Sequence, residues 1–553
     1  LCVGALPAMA ATTWYVRADG GTPAQCTGRS DAAYPGSGSN QACAWKHPFD
    51  ALPPVGAARI AGGDTLMIGP GSYKMGYNPP ATDGYYPVCQ GSSSFSCVAQ
   101  AIPSGPSPSQ PTRILGQGGP SCAAPPELWA TQAAYSIFDL EGRSNIQIGC
   151  LELTDHAQCI RNSGGDAAGL KCKNDSYPPN QDWGWQGITA ADSANVTLTD
   201  LDIHGFAMWG IRAARLTDWT LQRVKINGNG WAGWEGDRNN DGAGGSSNSG
   251  TIAFIDTEIA WNGCAEGYPD PASNRRCWGQ EQGGYGDGLG AGKTGGHWVF
   301  EGGHIHHNAS DGLDLLYADG TGSVTVSGLR AEANAGNQVK ASGPVTVENS
   351  VLVGNCAALA GSGLRNDELC RAMGNTLSLQ PINDAQVNVR YNTITGQGDC
   401  LVVSHLGSSN SRIHLANNAL LGGVNWPAQQ WGENKNTCLH YWVPPYGGEP
   451  DAGEPQLAYT NNLIWKVKND VCPGGGNLCQ IAPQITDANF ATFNPLPSEG
   501  SPLIDAGAPP HVAIDYHGTP RPQGNGYDIG AVEVPAGGNP PPAGDALFSS
   551  NFD

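Results

Sequence analysis

The chain has 553 residues, 79 of them glycine, a charged fraction of only 14 % and a formal net charge of −21. So acidic a chain, with no basic stripe, is not built for nucleic acid. No segment is apolar over the length needed to span a bilayer. Length alone would suggest about three or four ordinary domains. Short β-rich runs between Gly and Asn, without a long amphipathic helical run, point instead to many strands joined by tight turns.

The first residues read LCVGALPAMAATTW, an apolar stretch that ends in the small-residue cleavage signal Ala8-Met9-Ala10. Residues 1–10 therefore read as the remnant of a secretion signal, and the mature protein as exported and soluble. Of 17 cysteines, Cys2 leaves with that signal and 16 remain. They fall in close couples such as Cys26 and Cys43, Cys89 and Cys97, Cys264 and Cys277, Cys356 and Cys370, and Cys472 and Cys479. With no CxxC pair to suggest zinc, local disulfides stapling long loops are the expectation.

Residues 11–140 read as an N-terminal cap with loops. WYVRADGG opens with a strand, GGDTLMIGPGSYKMG closes as strand-turn-strand, and residues 76–140 are rich in Pro, Ser and Cys. From about residue 145 repeats appear. HWVFEGGHIHHN ends at Asn308, SVTVSGLRAEAN at Asn334 and PVTVENSVLVGN at Asn355, in steps of 26 and 21 residues. Val, Ile and Leu alternate with polar residues, and Asn recurs where the chain bends, which suits αL turns and side-chain hydrogen bonding. The pattern predicts an all-β fold, a single-stranded right-handed parallel β-helix with long disulfide-stapled loops, its core over 141–499. Residues 500–535 resemble a segment found at the C-terminal end of many surface β-helix proteins, and 536–553 read as a linker and a truncated tail.

The chemistry concentrates in 285–342. Successive rungs carry YGDGLGAGK, ASDGLDLLY and AGNQVKASG. Aligning the DGL motifs sets Asp287 beside Asp311. Aligning Asn308 with Asn334 sets Asp311 beside Asn337 and Asp314 beside Lys340. Neighbouring rungs are roughly 4.8 Å apart, so three carboxylates would crowd together and repel unless a cation joins them. Hard oxygen ligands suit Ca²⁺. Taken singly, each Asp-Gly is an ordinary turn dipeptide. The stacked set with a lysine on the same face favours a site.

This constellation resembles polysaccharide lyase family nine, the pectate-lyase-like right-handed parallel β-helix enzymes. In that family an Asp-Gly rung is followed by an Asp-Asp-Gly-x-Asp rung and then by a rung with the catalytic lysine. The resemblance implies that Asp287, Asp311 and Asp314 hold calcium and that Lys340 takes the proton. The chain departs from the family at Ser310, which stands where the first of two adjacent aspartates is expected. Removal of the C5 proton of a uronate needs stabilisation of the charge that develops on its carboxylate, and an amine to accept the proton. The expectation is a secreted, monomeric, calcium-dependent lyase acting on an acidic polysaccharide, with the ammonium several ångströms from the metal, in a groove walled by the 264–286 and 356–380 loops.

Other residues are candidates for lesser roles. Lys293 would be a second base or a substrate clamp, and Arg275, Arg276, Arg365 and Arg371 would hold neighbouring uronates, unless they are solvated loop charges. Asp237, Asn239, Asp241 and Gly242 match the first half of an EF-hand loop, but its twelfth position is Asn248. His304, His306 and His307 read as exposed turn histidines. Trp231, Trp234, Trp278 and Trp298 either stack on sugars or pack. Two rivals stay open: a β-helix glycoside hydrolase using paired carboxyls, which has no need of the lysine, and a non-catalytic surface adhesin or glycan-binding protein.

Overall fold

The computed structural model describes residues 11–79, 87–89, 97–131, 134–161, 169–172, 183–238, 247–271, 275–278, 286–364, 376–398, 400–423, 437–444, 453–509 and 512–535. The remnant at 1–10, the tail at 536–553, Arg365, Arg371, Asn239, Asp241 and Gly242 lie outside them.

The chain winds as a right-handed parallel β-helix, whose strands join in one 32-stranded sheet that folds into three faces. The first face includes Ala232–Glu235, Leu289–Gly290, Leu313–Leu315, Val339–Ser342 and Leu377–Gln380, each paired in parallel with the next. The second includes Ser249–Ile255, His297–Glu301, Ser323–Ser327 and Val345–Glu348. The third includes Lys225–Asn227, Glu258–Ala260, His304–His306, Arg330–Glu332 and Val351–Gly354. Alternation along each strand sends one set of side chains inward. Leu289, Leu313, Val339 and Leu377 stack in register, all fully buried.

The helix starts earlier than the repeats suggest. Thr13–Gly21 pairs with Thr65–Ile68, which pairs with Thr112–Gly116. Glu127–Ala130 pairs with Ser144–Asp155. Segments within 76–140 that read as loops are thus rungs, hidden because Pro-, Ser- and Cys-rich insertions break the period. The last parallel pair joins Leu463–Trp465 to Leu478–Cys479, short of residue 499. Residues beyond it cover the outer side of the third face, where Leu503, Tyr516, Ile529 and Val532 pack on Val351, Val353, Ala419 and Leu421.

Among the described residues, seven disulfides join sequential cysteines, 26–43, 89–97, 122–150, 159–172, 264–277, 400–438 and 472–479. Their Cα separations run from 3.9 to 5.8 Å. This is the local pairing the spacing predicts; Cys370, the expected partner of Cys356, lies outside the described residues.

The recurrent Asn splits into two roles. At the bend from the third face to the first, Asn229, Asn262, Asn308 and Asn334 form a buried amide ladder. From Asn262 on, each Oδ1 accepts from the backbone N–H and the Nδ2 of the Asn before it, as Asn308 does from Asn262 at 3.0 and 2.9 Å, while the Asn229 Oδ1 accepts from the Phe206 N–H. Gln338 closes the ladder by accepting from Asn334. The αL residue is the one just before, Trp261, His307 and Ala333, with φ of 56°, 54° and 59°. Further along, Asn417 and Asn461 take that αL place themselves, ahead of the ladder residues Asn418 and Asn462. Replacing the fully buried Asn308 with Ala strands two donors of Asn262 in the core, at a cost of about 3 kcal/mol. Denaturant unfolding of Asn308→Ala should show that loss with the fold retained; a stability equal to wild type would mean the ladder is ornamental.

Candidate functional site

Inward Leu313 and Val339 force their neighbours Asp314 and Lys340 outward on the first face, where the two stand side by side in register. Three residues earlier on each strand a second column runs through Asp287, Asp311 and Asn337. The carboxylate of Asp287 accepts from the Asp311 backbone N–H at 2.9 Å. That of Asp311 accepts from the Asn337 backbone and Nδ2 at 2.6 and 2.7 Å. Gly336 permits this, because a Cβ there would lie 2.2 Å from the Asp311 Oδ1. The rung alignment made on the DGL and Asn positions is therefore the one the chain adopts.

Lys340 lies closer to the acids than expected. Its Nζ is 2.7 Å from the Asp314 Oδ2 and 3.2 Å from the Asp311 Oδ2, so it is salt-bridged rather than several ångströms away. The reason is electrostatic. Asp287 and Asp311 are 4 and 5 % exposed, and carboxylates so poorly solvated draw in the nearest cation. Burial opposes charge on the ammonium, but Asp311 and Asp314 together outweigh it and hold the amine protonated well above its ordinary range. Burial, then Asp311 and Asp314, push Asp287 the other way, toward its neutral acid, against a hydrogen bond from Ser310. Where the family pattern sets a further aspartate, this chain sets a hydroxyl that faces Asp287.

As the side chains stand, among the described residues no three acidic, histidine or cysteine groups surround one point closely enough to hold a metal ion. The expected convergence of Asp287, Asp311 and Asp314 is thus incomplete: Asp311 and Asp314 converge on the ammonium, and Asp287 turns to the backbone. The donor set nevertheless suits a hard divalent cation. Three carboxyl groups share one ammonium, and the buried Asn337 Oδ1 beside them lacks a hydrogen-bond partner.

The remaining candidates are scattered. Lys293 is exposed at the bend that follows, where its charge acts on Asp319. Arg275 packs its guanidinium over Trp261, 4.7 Å from the ring centre, with Glu266 and Glu258 as its charge partners. It therefore serves the third face rather than the Lys340 face. Arg276 is exposed on the short Cys264–Cys277 hairpin. The two expected loop walls do meet: the Cys277 N–H donates to the Ser362 carbonyl at 2.8 Å, over Ala309 and Ala335. His304 and His306 are partly buried and pair with Glu332 at 2.9 Å and Glu258 at 3.4 Å, and His307 stacks on Trp261, so none is a plain exposed turn histidine. Trp234 and Trp298 are core residues. Trp231 and Trp278 are nearly buried, their indoles bonded to the Arg161 and Gly230 carbonyls.

No protein-family model matches the sequence, and no curated protein does. Solved structures show a general likeness. A pectate lyase, Pel9A, aligns at 13 % identity over 94 % of this chain and 96 % of its own, with a TM-score of 0.45. A complex of XylC with xylose aligns at 9 % identity over 96 and 99 %, with a TM-score of 0.40. A rhamnogalacturonan lyase aligns at 12 % identity over 87 and 92 %, with a TM-score of 0.36. Values this low leave substrate and chemistry to be argued from the side chains of the first face.

The Cys264–Cys277 loop is also tied down by charge. Glu266 binds the His204 Nδ1 at 2.5 Å, and Glu152 binds the Nε2 at 3.1 Å. Burial lowers the His204 pKa, but Glu266, Asp202 and Glu152 outweigh it and raise it well above 6.5. A pKa raised on folding contributes stability that is complete below the unfolded value and lost as pH climbs through the folded one. Thermal unfolding should therefore show stability falling above about pH 6.5, with His204→Gln flattening that slope. An unchanged slope in the variant would assign the pH dependence elsewhere.

Proposed function

We propose that this chain is an exported, calcium-dependent polysaccharide lyase that cleaves a uronate-containing glycan by β-elimination, with Lys340 as the base. One observation carries the reading: an amine stands in register with Asp314 on an outward face, beside two further carboxyl groups stacked in the adjoining column. A hydrolase with paired acids gives Lys340 no task, and an adhesin gives none to the whole cluster. The motif resemblance to polysaccharide lyase family nine and the seven disulfides, which suit an oxidising compartment, support the same reading.

Calcium held by Asp287, Asp311, Asp314 and the side-chain amide Oδ1 of Asn337 would supply a Lewis acid for the substrate carboxylate. The chain's own part is proton transfer. Once Asp311 and Asp314 are engaged elsewhere, the Lys340 amine is no longer locked as their counterion and can shed its proton. It then takes the C5 hydrogen, the C4–C5 double bond forms, the C4–O4 bond breaks, and the departing oxygen gains a proton from solvent. Ser310 keeps Asp287 oriented by hydrogen bonding where a further carboxylate would add repulsion.

The test is incubation with a panel of acidic polysaccharides, with and without Ca²⁺, following the ultraviolet absorbance of the new unsaturated uronate. Product should form with calcium and vanish with a chelator. Lys340→Ala should lose at least about 10²-fold in kcat while keeping the β-sheet circular dichroism of the wild type, although with lower stability because Asp311 and Asp314 lose their counter-charge, and Lys340→Arg should be equally inactive because guanidinium does not give up its proton. A Lys340→Ala enzyme with wild-type turnover would remove Lys340 as the base and bring Lys293 forward.

The pH profile follows from the same ion pairs. The active form is the neutral amine, and the acids around it favour the charged one, so kcat/KM should rise from neutral toward alkaline pH. Asp314→Asn removes a proposed calcium ligand and should raise the calcium concentration needed for activity. A rate that falls with increasing pH would contradict a lysine base.

A further inference from the structure

The outward column that carries Asp314 and Lys340 runs back through Gly290 and Glu235 to Arg212. Arg212 stands three rungs before Asp314, about 14 Å at roughly 4.8 Å per rung. The adjoining column runs in parallel from Asp311 through Asp287 and Ala232 to Trp209. The pair of positions filled by Asp311 and Asp314 at one place is thus filled by an indole and a guanidinium three rungs away, on the same outward side of the first face.

The patch around Arg212 has donors in excess of acceptors. Its guanidinium lies over the Trp209 ring, 4.8 Å from the centre, and reaches the Tyr135 hydroxyl at 3.5 Å. The Nε of Arg212 is buried without a hydrogen-bond partner, and so is the indole Nε1 of Trp209, a residue only 7 % exposed. Among the described residues Arg212 forms no ion pair. Its neighbour Glu235 is pushed up to about 8 by burial and turns an oxygen to the Asp237 N–H. A second guanidinium, that of Arg161, lies 4.0 Å over Trp185, which packs against Tyr135.

We infer that Arg212, held flat on Trp209, is a distal subsite for the carboxylate of a uronate residue in the same glycan whose reacting sugar sits at Lys340. A guanidinium on an indole matches a sugar carboxylate in charge and fork geometry. The separation of three rungs calls for an oligosaccharide rather than a single sugar. The inference rests on the lyase reading for what occupies the Lys340 end, and makes the enzyme a reader of chain length and of free, unesterified carboxylates. Arg212 is a positioning residue here, not a participant in proton transfer.

Binding is read in the Lys340→Ala protein, which holds ligand without turning it over. Tryptophan fluorescence is titrated with hexamers and trimers of galacturonate, mannuronate and guluronate, and with methyl-esterified hexamers. At least one acidic hexamer should bind, and adding Arg212→Ala should weaken it about tenfold or more. Trimers and methyl esters should be indifferent to that change, and Arg212→Lys should fall between. The same hexamer affinity with and without Arg212, or an equal loss for trimer and hexamer, would overturn the subsite. Arg212-dependent hexamer binding in a protein whose wild type never forms unsaturated uronate would sink the lyase and leave the subsite standing. If no acidic hexamer binds, the subsite fails, whatever the wild type does with longer polymers.

Discussion

Each turn of this chain lies directly on the last, so every outward side chain has the equivalent residue of the next turn roughly 4.8 Å away. That spacing is the constraint to which the rest of the molecule answers. Apolar positions meet it without cost, as Leu289, Leu313 and Val339 do. Amides meet it by self-complementarity, since an Asn can donate to one rung and accept from another, and the Asn229 to Asn334 ladder is built in this way. Charges cannot. A carboxylate stacked on a carboxylate needs a counter-charge within reach, and the first face supplies it one rung further on with Lys340.

Placing a base among acids is at first sight a poor design for a base. The ion pairs that hold Lys340 in position also keep it protonated. The arrangement becomes useful only when something else takes up the negative charge of Asp311 and Asp314. On the proposed reading such a site would be idle until loaded, which would tie the readiness of the amine to the species that also meets the substrate carboxylate. The three-acid, one-amine stoichiometry is the feature that makes such coupling possible; a lysine paired to a single aspartate would be neutral overall and indifferent to a divalent ion.

The parts of this architecture that were legible in the sequence are those with an unbroken period. Between Asn308 and Asn334 the spacing alone put Asp314 beside Lys340, and the two DGL motifs put Asp287 beside Asp311. Register was lost wherever an insertion interrupted it. The rungs at Thr112–Gly116 and Glu127–Ala130 were masked by the Cys- and Pro-rich stretches around them. Arg212 was masked because the count back from Gly290 to Glu235 has to cross a long insertion. The ammonium's contact with its acids was missed for another reason: spacing gives columns, whereas the reach of a lysine toward buried charge depends on solvation. Arg275 shows the same limit, since a loop residue near the site in sequence turned to serve a different face.

On the proposed reading, a net charge of −21 works against a polyanionic substrate, because the long-range field repels what the site would bind. The first face resolves this locally and unevenly. At one place the acids are nearly buried and Asp311 and Asp314 pair with the equally buried Lys340 ammonium, so that part of the negative charge is compensated within the protein. Three rungs away the Arg212 guanidinium lies over Trp209. Screening at physiological ionic strength acts over about 8 Å, less than the separation of the two places, so each is felt by a bound chain largely on its own. On that reading the same acidic surface would favour release of shortened acidic products, because a fragment that no longer spans both places would keep only one set of compensating contacts while the general repulsion is unchanged.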